Sequence, residues 1–152
     1  MTFVVVIETM PCVSIGIHED ARHLYPGTGH AHETGKGEAV GSKLNLNLAP
    51  GATDREFEPL LAKVKAHLEA KQPEFIILQC GADSLAGDPI THLQLSPESH
   101  KASARMLCDV AERFSSGRLL VTGGGGYNRS NLAAGWSAVV DVLATYRAHK
   151  DC

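Results

Sequence analysis

The chain has no Cys-x-x-Cys pair; its four cysteines stand apart at positions 12, 80, 108 and 152. That spacing makes neither a zinc ribbon nor a disulfide framework, and it suits reduced thiols in a cytoplasmic protein. Cys80 follows an apolar run and Cys108 sits in a helical pattern, so both are expected as small core residues. No Gly-x-Ser-x-Gly elbow is present, which leaves a serine hydrolase without support. There is no phosphate loop either. Gly35-Lys36 is followed by Gly37 instead of Ser or Thr, and the upstream Gly29 lies one residue too far away. A dinucleotide fingerprint starting at Gly123 would need its last glycine where Asn128 stands. Aromatics make up only 5% of the chain and no basic patch offsets a net charge of -3, so no direct nucleic-acid partner is expected. The amino-terminal apolar run, Phe3-Val4-Val5-Val6-Ile7, is too short to span a membrane and lacks the positive flank of a signal. It reads as a buried strand, and no membrane partner is expected.

What is there is the balance of an ordinary globular domain. Hydrophobic residues make up 43% and charged residues 20% of 152 residues, enough for one domain, 1–152, with a core. Strands are expected at about 3–7 and 12–17, then a long segment from His18 to about Ser42, rich in Gly and His and without period. A loop of that length in a compact domain is usually functional or disordered. Leu44-Asn45-Leu46-Asn47-Leu48 alternates as a half-buried strand does. A first helix opens on the capping-box sequence Thr53-Asp54-Arg55-Glu56 and carries Phe57, Leu60, Leu61, Val64 and Leu68 at helical spacing. A second opens at Ser96-Pro97 and carries Met106, Leu107, Val110 and Phe114. A third is capped by Asn128 or Ser130 and is expected to bury Leu132, Trp136, Val139, Val140 and Leu143. Strands at about 75–79 and 118–122 lie between the helices. The order β-β-loop-β-α-β-α-β-α predicts a three-layer α/β sandwich with a mostly parallel sheet.

Two loops follow apolar strands. One is Gly81-Ala82-Asp83-Ser84-Leu85-Ala86-Gly87-Asp88-Pro89; the other is Gly123-Gly124-Gly125-Gly126-Tyr127-Asn128. Parallel strands send both loops to one sheet edge, where open α/β proteins build their sites. Asp83 there is a candidate metal ligand or base, or else a carboxylate capping its own loop. Asp88, in Gly87-Asp88-Pro89, reads as a turn residue. The glycines would let the backbone approach a ligand and set Tyr127 at its mouth, where a phenol can donate to a developing oxyanion. Tyr127 packing on its own helix is the alternative. The eight histidines say less. His18, His23, His30 and His32 lie in or beside the long loop, with His30 and His32 able to bring two imidazoles near a metal, whereas His67, His92, His100 and His149 look like surface residues.

These stretches, together with Gly16-Ile17-His18-Glu19-Asp20, Leu24-Tyr25-Pro26-Gly27-Thr28-Gly29, Asn131 and Trp136, resemble the carboxyl-terminal half of the zinc-dependent histone deacetylase superfamily. Acetoin-utilisation and acetylpolyamine amidohydrolase members belong to that superfamily. The resemblance implies an arginase-like three-layer α/β fold and hydrolysis of acyl groups, with zinc as cofactor and a structural monovalent cation beside the backbone of Ile17. It implies that Asp83 is a zinc ligand and that Tyr127 polarises the substrate carbonyl. It further implies that Tyr25 walls the acyl channel, that Ile90 sits at its rim, and that Gly125 and its neighbours line the zinc floor. The family's Asp-x-His motif and adjacent histidine pair do not occur in this sequence, and residues 1–10 stand where the Asp-x-His strand and its continuation would be. Three outcomes are therefore expected. A reduced hydrolase could use Asp83 with His18, His30 or His32 as replacement ligands on acetyl-lysine peptides, acetylpolyamines or simple esters. A half-domain would be completed by a partner chain or second copy. A remnant would have no chemistry.

Overall fold

The computed structural model describes residues 3–7 and 12–148, with side chains for 12–146. Five strands form one sheet: β1 (Phe3–Ile7), β2 (Val13–Glu19), β3 (Lys43–Leu48), β4 (Ile76–Cys80) and β5 (Leu119–Gly123). Three long helices accompany it: α1 (Asp54–Lys71), α2 (Pro97–Phe114) and α3 (Arg129–Ala148). The spatial order is β3-β2-β1-β4-β5. β2–β3 and β4–β5 are parallel pairs, and β1 is wedged between them antiparallel to both. Phe3 lies opposite Ile17 on one side and Cys80 on the other. The carboxyl ends of β2 and β4 therefore reach the same level of the sheet.

α1 and α2 pack side by side, and α2 also packs against α3. Ile15 and Ile17 of β2 meet Leu61, Val64, Met106 and Leu107 there. The core holds Phe57, Leu68, Ile76, Leu78, Leu107 and Val139, all essentially without exposure. Each such side chain contributes about 1.5–3 kcal/mol relative to solvent exposure. On the opposite face the 20–42 segment covers β2 and β3. It leaves a cavity of about 240 Å³ lined by Ser14, Gly16, His18, Tyr25, Gly29 and Lys43. In β5 Leu120 is half exposed.

The helix starts follow their local chemistry. The Glu56 carboxylate accepts both the Thr53 N–H, at 2.9 Å, and the Thr53 hydroxyl, at 2.7 Å. Ser96 caps α2 by accepting the Glu98 N–H, with Pro97 in the first turn. Asn128 Oδ1 accepts from the Ser130 and Asn131 N–H groups, which makes it the cap of α3. The expected inward face of α3 needs correction. Leu132 and Val140 are exposed, whereas Gly135, Val139 and Val142 are buried. The helix turns its small residue, Gly135, toward Leu85 and His100, where a Cβ would meet Leu85 at 3.2 Å. Cys80 and Cys108 are buried as expected, and burial pushes their thiols up to about 12 and about 11. No helix among the described residues is long and apolar enough to cross a membrane.

Candidate active site at the carboxyl edge of the sheet

Asp83 sits in a single 3-10 turn, Ala82–Ser84, just past β4, and is buried. Its turn is anchored on all sides. The Thr91 hydroxyl donates to the Asp83 carbonyl. The Leu95 N–H donates to the Ser84 carbonyl at 3.1 Å, and the Ala82 N–H donates to the Gly125 carbonyl at 2.7 Å. The four-glycine run lies against this turn so closely that side chains do not fit. A Cβ on Gly124 would come within 2.9 Å of Gly81, and one on Gly126 within 2.9 Å of Ala82 and the Asp83 nitrogen. A Cβ on Gly125 would collide with the Asp83 carboxylate, and one on Gly81 would come within 2.9 Å of it. The glycines thus serve an approach of loop to loop, and they set bare backbone against the Asp83 carboxylate.

Tyr127 follows directly. Its side chain is 77% exposed, and its N–H points to Asp88 Oδ2 at 3.4 Å. It does not pack on its own helix. Asp88 is a turn residue as its sequence predicts: Oδ1 accepts the Ile90 and Thr91 N–H groups at 2.8 and 3.3 Å. Asn128 and Asn131 donate to the carbonyls of Gly87, Leu85 and Ala86, which stitches the two loops together. Ile90 is 55% and Tyr25 92% exposed. Tyr25 lies at the other end of the edge, beside the cavity over β2. Ile17, expected beside a cation, is paired to Phe3 and Leu46.

The histidines do not gather round Asp83. His18 is buried with Nδ1 2.9 Å from the Glu19 carbonyl, and its ring lies against Gly29. His30 and His32 stack on each other at 5.4 Å. Among the described residues no group of three His, Cys, Asp or Glu side chains could hold a metal ion. Among the described residues His18, His30 and His32 do not form such a group with Asp83: the His18 ring lies against Gly29, and His30 and His32 stack on each other. His100 needs a second correction. It is fully buried, with Nε2 2.9 Å from the Gly81 carbonyl. Its position seven residues before Leu107, on the same stripe of α2, was the available signal. His67 is half-buried, His92 is exposed, and His149 lies outside the described residues. Glu19 carried no sequence signal. Its carboxylate is wholly buried and accepts both the N–H and the ring Nδ1–H of His92, at 2.7 and 2.8 Å. It ties the end of β2 to the loop that carries Asp83, Asp88 and Ile90.

A parallel edge with an acidic turn, a glycine floor and an exposed phenol defines an arginase-like α/β domain. The chain belongs to the histone deacetylase domain family, whose model matches residues 6–143. It is 37% identical over 121 residues to histone deacetylase clr6 of Schizosaccharomyces pombe, covering 79% of this chain and 29% of that one. It is 34% identical over 119 residues to the acetoin utilization protein AcuC of Bacillus subtilis, covering 76% and 30%. The solved structure of the histone deacetylase Clr3 superposes with a TM-score of 0.77 at 25% identity, covering 85% of this chain and 22% of that one. The chain spans about a third or less of the length of these relatives.

Proposed function

We propose that the chain forms the carboxyl-terminal part of a deacetylase-like hydrolase site. Its substrates would be acyl groups carried as acetyl-lysine or acetylpolyamine amides or as simple esters. The observation that carries this reading is the glycine floor against the buried Asp83 carboxylate with Tyr127 exposed beside it. Asp83 is the metal ligand. Tyr127 is the oxyanion donor: its phenol hydrogen, aimed at an acyl oxygen, stabilises charge that develops there. Asp88 holds the Tyr127 backbone, so the ring is presented from a fixed loop. Tyr25 and Ile90 are the proposed wall and rim of the acyl channel.

Zinc is the proposed cofactor, but the described residues fit it incompletely. A catalytic zinc takes three protein ligands and keeps one open position. Asp83 is one ligand, and among the described residues it belongs to no group of three candidate donors. Esters are the substrates such a reduced set handles most readily, because an alkoxide leaves without the proton that an amine needs from a general acid. A second reading rests on the lack of a three-donor group among the described residues and on the half-exposed Leu120 of β5: the site is completed by another polypeptide or a second copy. Buried thiols at Cys80 and Cys108 suit a cytoplasmic setting.

The test is zinc content of the purified chain, run beside turnover of an acetyl ester and an acetyl-lysine peptide with and without chelator. Stoichiometric zinc with chelator-sensitive turnover supports the first reading. Zinc and turnover that appear only with an added chain, or only in a dimer by light scattering, support the second. In either active form Tyr127→Phe lowers kcat by about 10²–10³; an unchanged rate excludes Tyr127 as the oxyanion donor.

A further inference from the structure

The peptide unit joining Gly81 to Ala82 is held at both of its polar ends. Its carbonyl lies 2.9 Å from His100 Nε2, reached from inside the helical layer. Its N–H donates to the Gly125 carbonyl at 2.7 Å, in the opposite loop. A carbonyl only accepts, so His100 Nε2 must carry the hydrogen. Nδ1 lies 3.3 Å from the Ser99 hydroxyl oxygen. The Ser99 hydroxyl also lies 2.7 Å from the Ser96 carbonyl, which pins this helical turn to the cap of α2. Gly135 of α3 lies alongside: a Cβ there would stand in ordinary contact with the imidazole, at 3.5 Å.

A buried polar ring is costly unless its hydrogen bonds are made. A buried imidazole with Nε2 aimed at a backbone carbonyl is therefore a specific device. Rotating the 81–82 peptide plane swings its carbonyl and N–H together and breaks both bonds. While both hold, the direction in which the chain enters the Asp83 turn is fixed relative to Gly125, whose Cα faces the Asp83 carboxylate.

We propose that His100 is a positioning residue: as the neutral Nε2–H tautomer it locks the Gly81–Ala82 peptide, and so sets Asp83 against the Gly125–Tyr127 loop. Its consequence for turnover rests on the proposed role of Asp83, while the lock itself does not. His100 touches no reacting atom and acts through Gly81.

Nitrogen-edited NMR on the full chain tests this without activity. The wild-type His100 ring is expected as the Nε2–H tautomer, with that hydrogen protected from exchange; an Nδ1–H ring would overturn the proposal. Two variants follow. His100→Phe fills the volume without a donor, and His100→Gln keeps an N–H near the place of Nε2. In His100→Phe the Ala82 amide should exchange about tenfold faster relative to the α2 amides of Leu107 and Val110. His100→Gln should restore most of that protection. Ala82 exchange that merely follows Leu107 in both variants would make His100 a plain core residue and sink the idea. If His100→Phe does not fold, the wild-type tautomer and His100→Gln still decide. Absence of turnover in the wild-type chain bears on the proposed function alone, because Ala82 exchange reads the lock directly.

Discussion

Two glycine-rich segments of this chain do opposite things. In 123–126 the glycines exist for long-range contact: three of them lie so near the Asp83 turn that a methyl group would collide with it. In 20–42 only Gly29, whose Cβ would stand 2.8 Å from the His18 ring, makes such a contact, and the others serve local chain direction. Gly37 and Gly41 have positive φ, 57° and 82°, and open space where a side chain would be. Gly35 faces only its near neighbour Ala39. The bonding differs in the same way. The Asp83 turn is tied to α2, to the second glycine loop and to the 91–95 stretch. The 20–42 segment hangs from two asparagines of β3: Asn45 donates to the His30 and Glu33 carbonyls, and Asn47 donates to that of Gly29. The rigid loop pair can hold a reacting geometry, while the draped segment can shape a cavity wall. Composition alone does not separate the two cases; the neighbours of each missing Cβ do.

The comparison breaks first at glycine. Gly126→Ala, at φ 119° and against Ala82, should cost about 3 kcal/mol of stability by urea denaturation, whereas Gly41→Ala should cost only about 1 kcal/mol. Equal costs would erase the distinction. Next is the tie between the two regions. Glu19→Gln removes a buried carboxylate that takes two bonds from His92, and should cost about 2 kcal/mol while loosening the Ile90 and Thr91 amides to hydrogen exchange. A smaller effect concerns pH. Burial holds the His100 imidazole below its usual value near 6.5, and His67 likewise. The folded state therefore takes up protons later than the unfolded state. The contribution is complete above about pH 6.5 and is lost as pH falls below it. Urea midpoints between pH 7.5 and 5 should decline, and His100→Gln should flatten that slope. The smallest effect is an absence of reaction: Cys80 and Cys108, raised and buried, should resist a thiol reagent in the native state while the exposed Cys12 reacts.

What was legible in the sequence was what neighbouring residues decide. Thr53 with Glu56, Ser96 with Pro97 and Asn128 each mark a helix start through contacts within a turn, and each start holds. Alternation in 44–48 marked β3 for the same reason. The antiparallel course of β1 was not legible, because Phe3-Val4-Val5-Val6-Ile7 is equally apolar read in either direction; pairing with β2 and β4 sets its sense. The face of α3 was misjudged by counting apolar side chains, when the packing contact runs through Gly135, which has none. At the site, Asp83 and Tyr127 stood out because acidic and phenolic residues after strands are rare enough to notice. His100, Glu19 and His92 did not. Their roles come from partners 19 and 73 residues away, and no local pattern carries such separations.

One further detail links the helical layer to its electrostatics. Asp54 stands in the first turn of α1, yet its carboxylate accepts the Ser96 N–H at 2.9 Å and the Ser96 hydroxyl at 2.5 Å. Both helices begin at the carboxyl edge of the sheet, so their macrodipoles run side by side in the same sense, and their positive poles repel. A single negative charge between those poles attracts both, each by about 0.3–1 kcal/mol at low ionic strength. The two helices are joined at their starts by one anion, and added salt should weaken that junction before it disturbs the apolar contacts farther along.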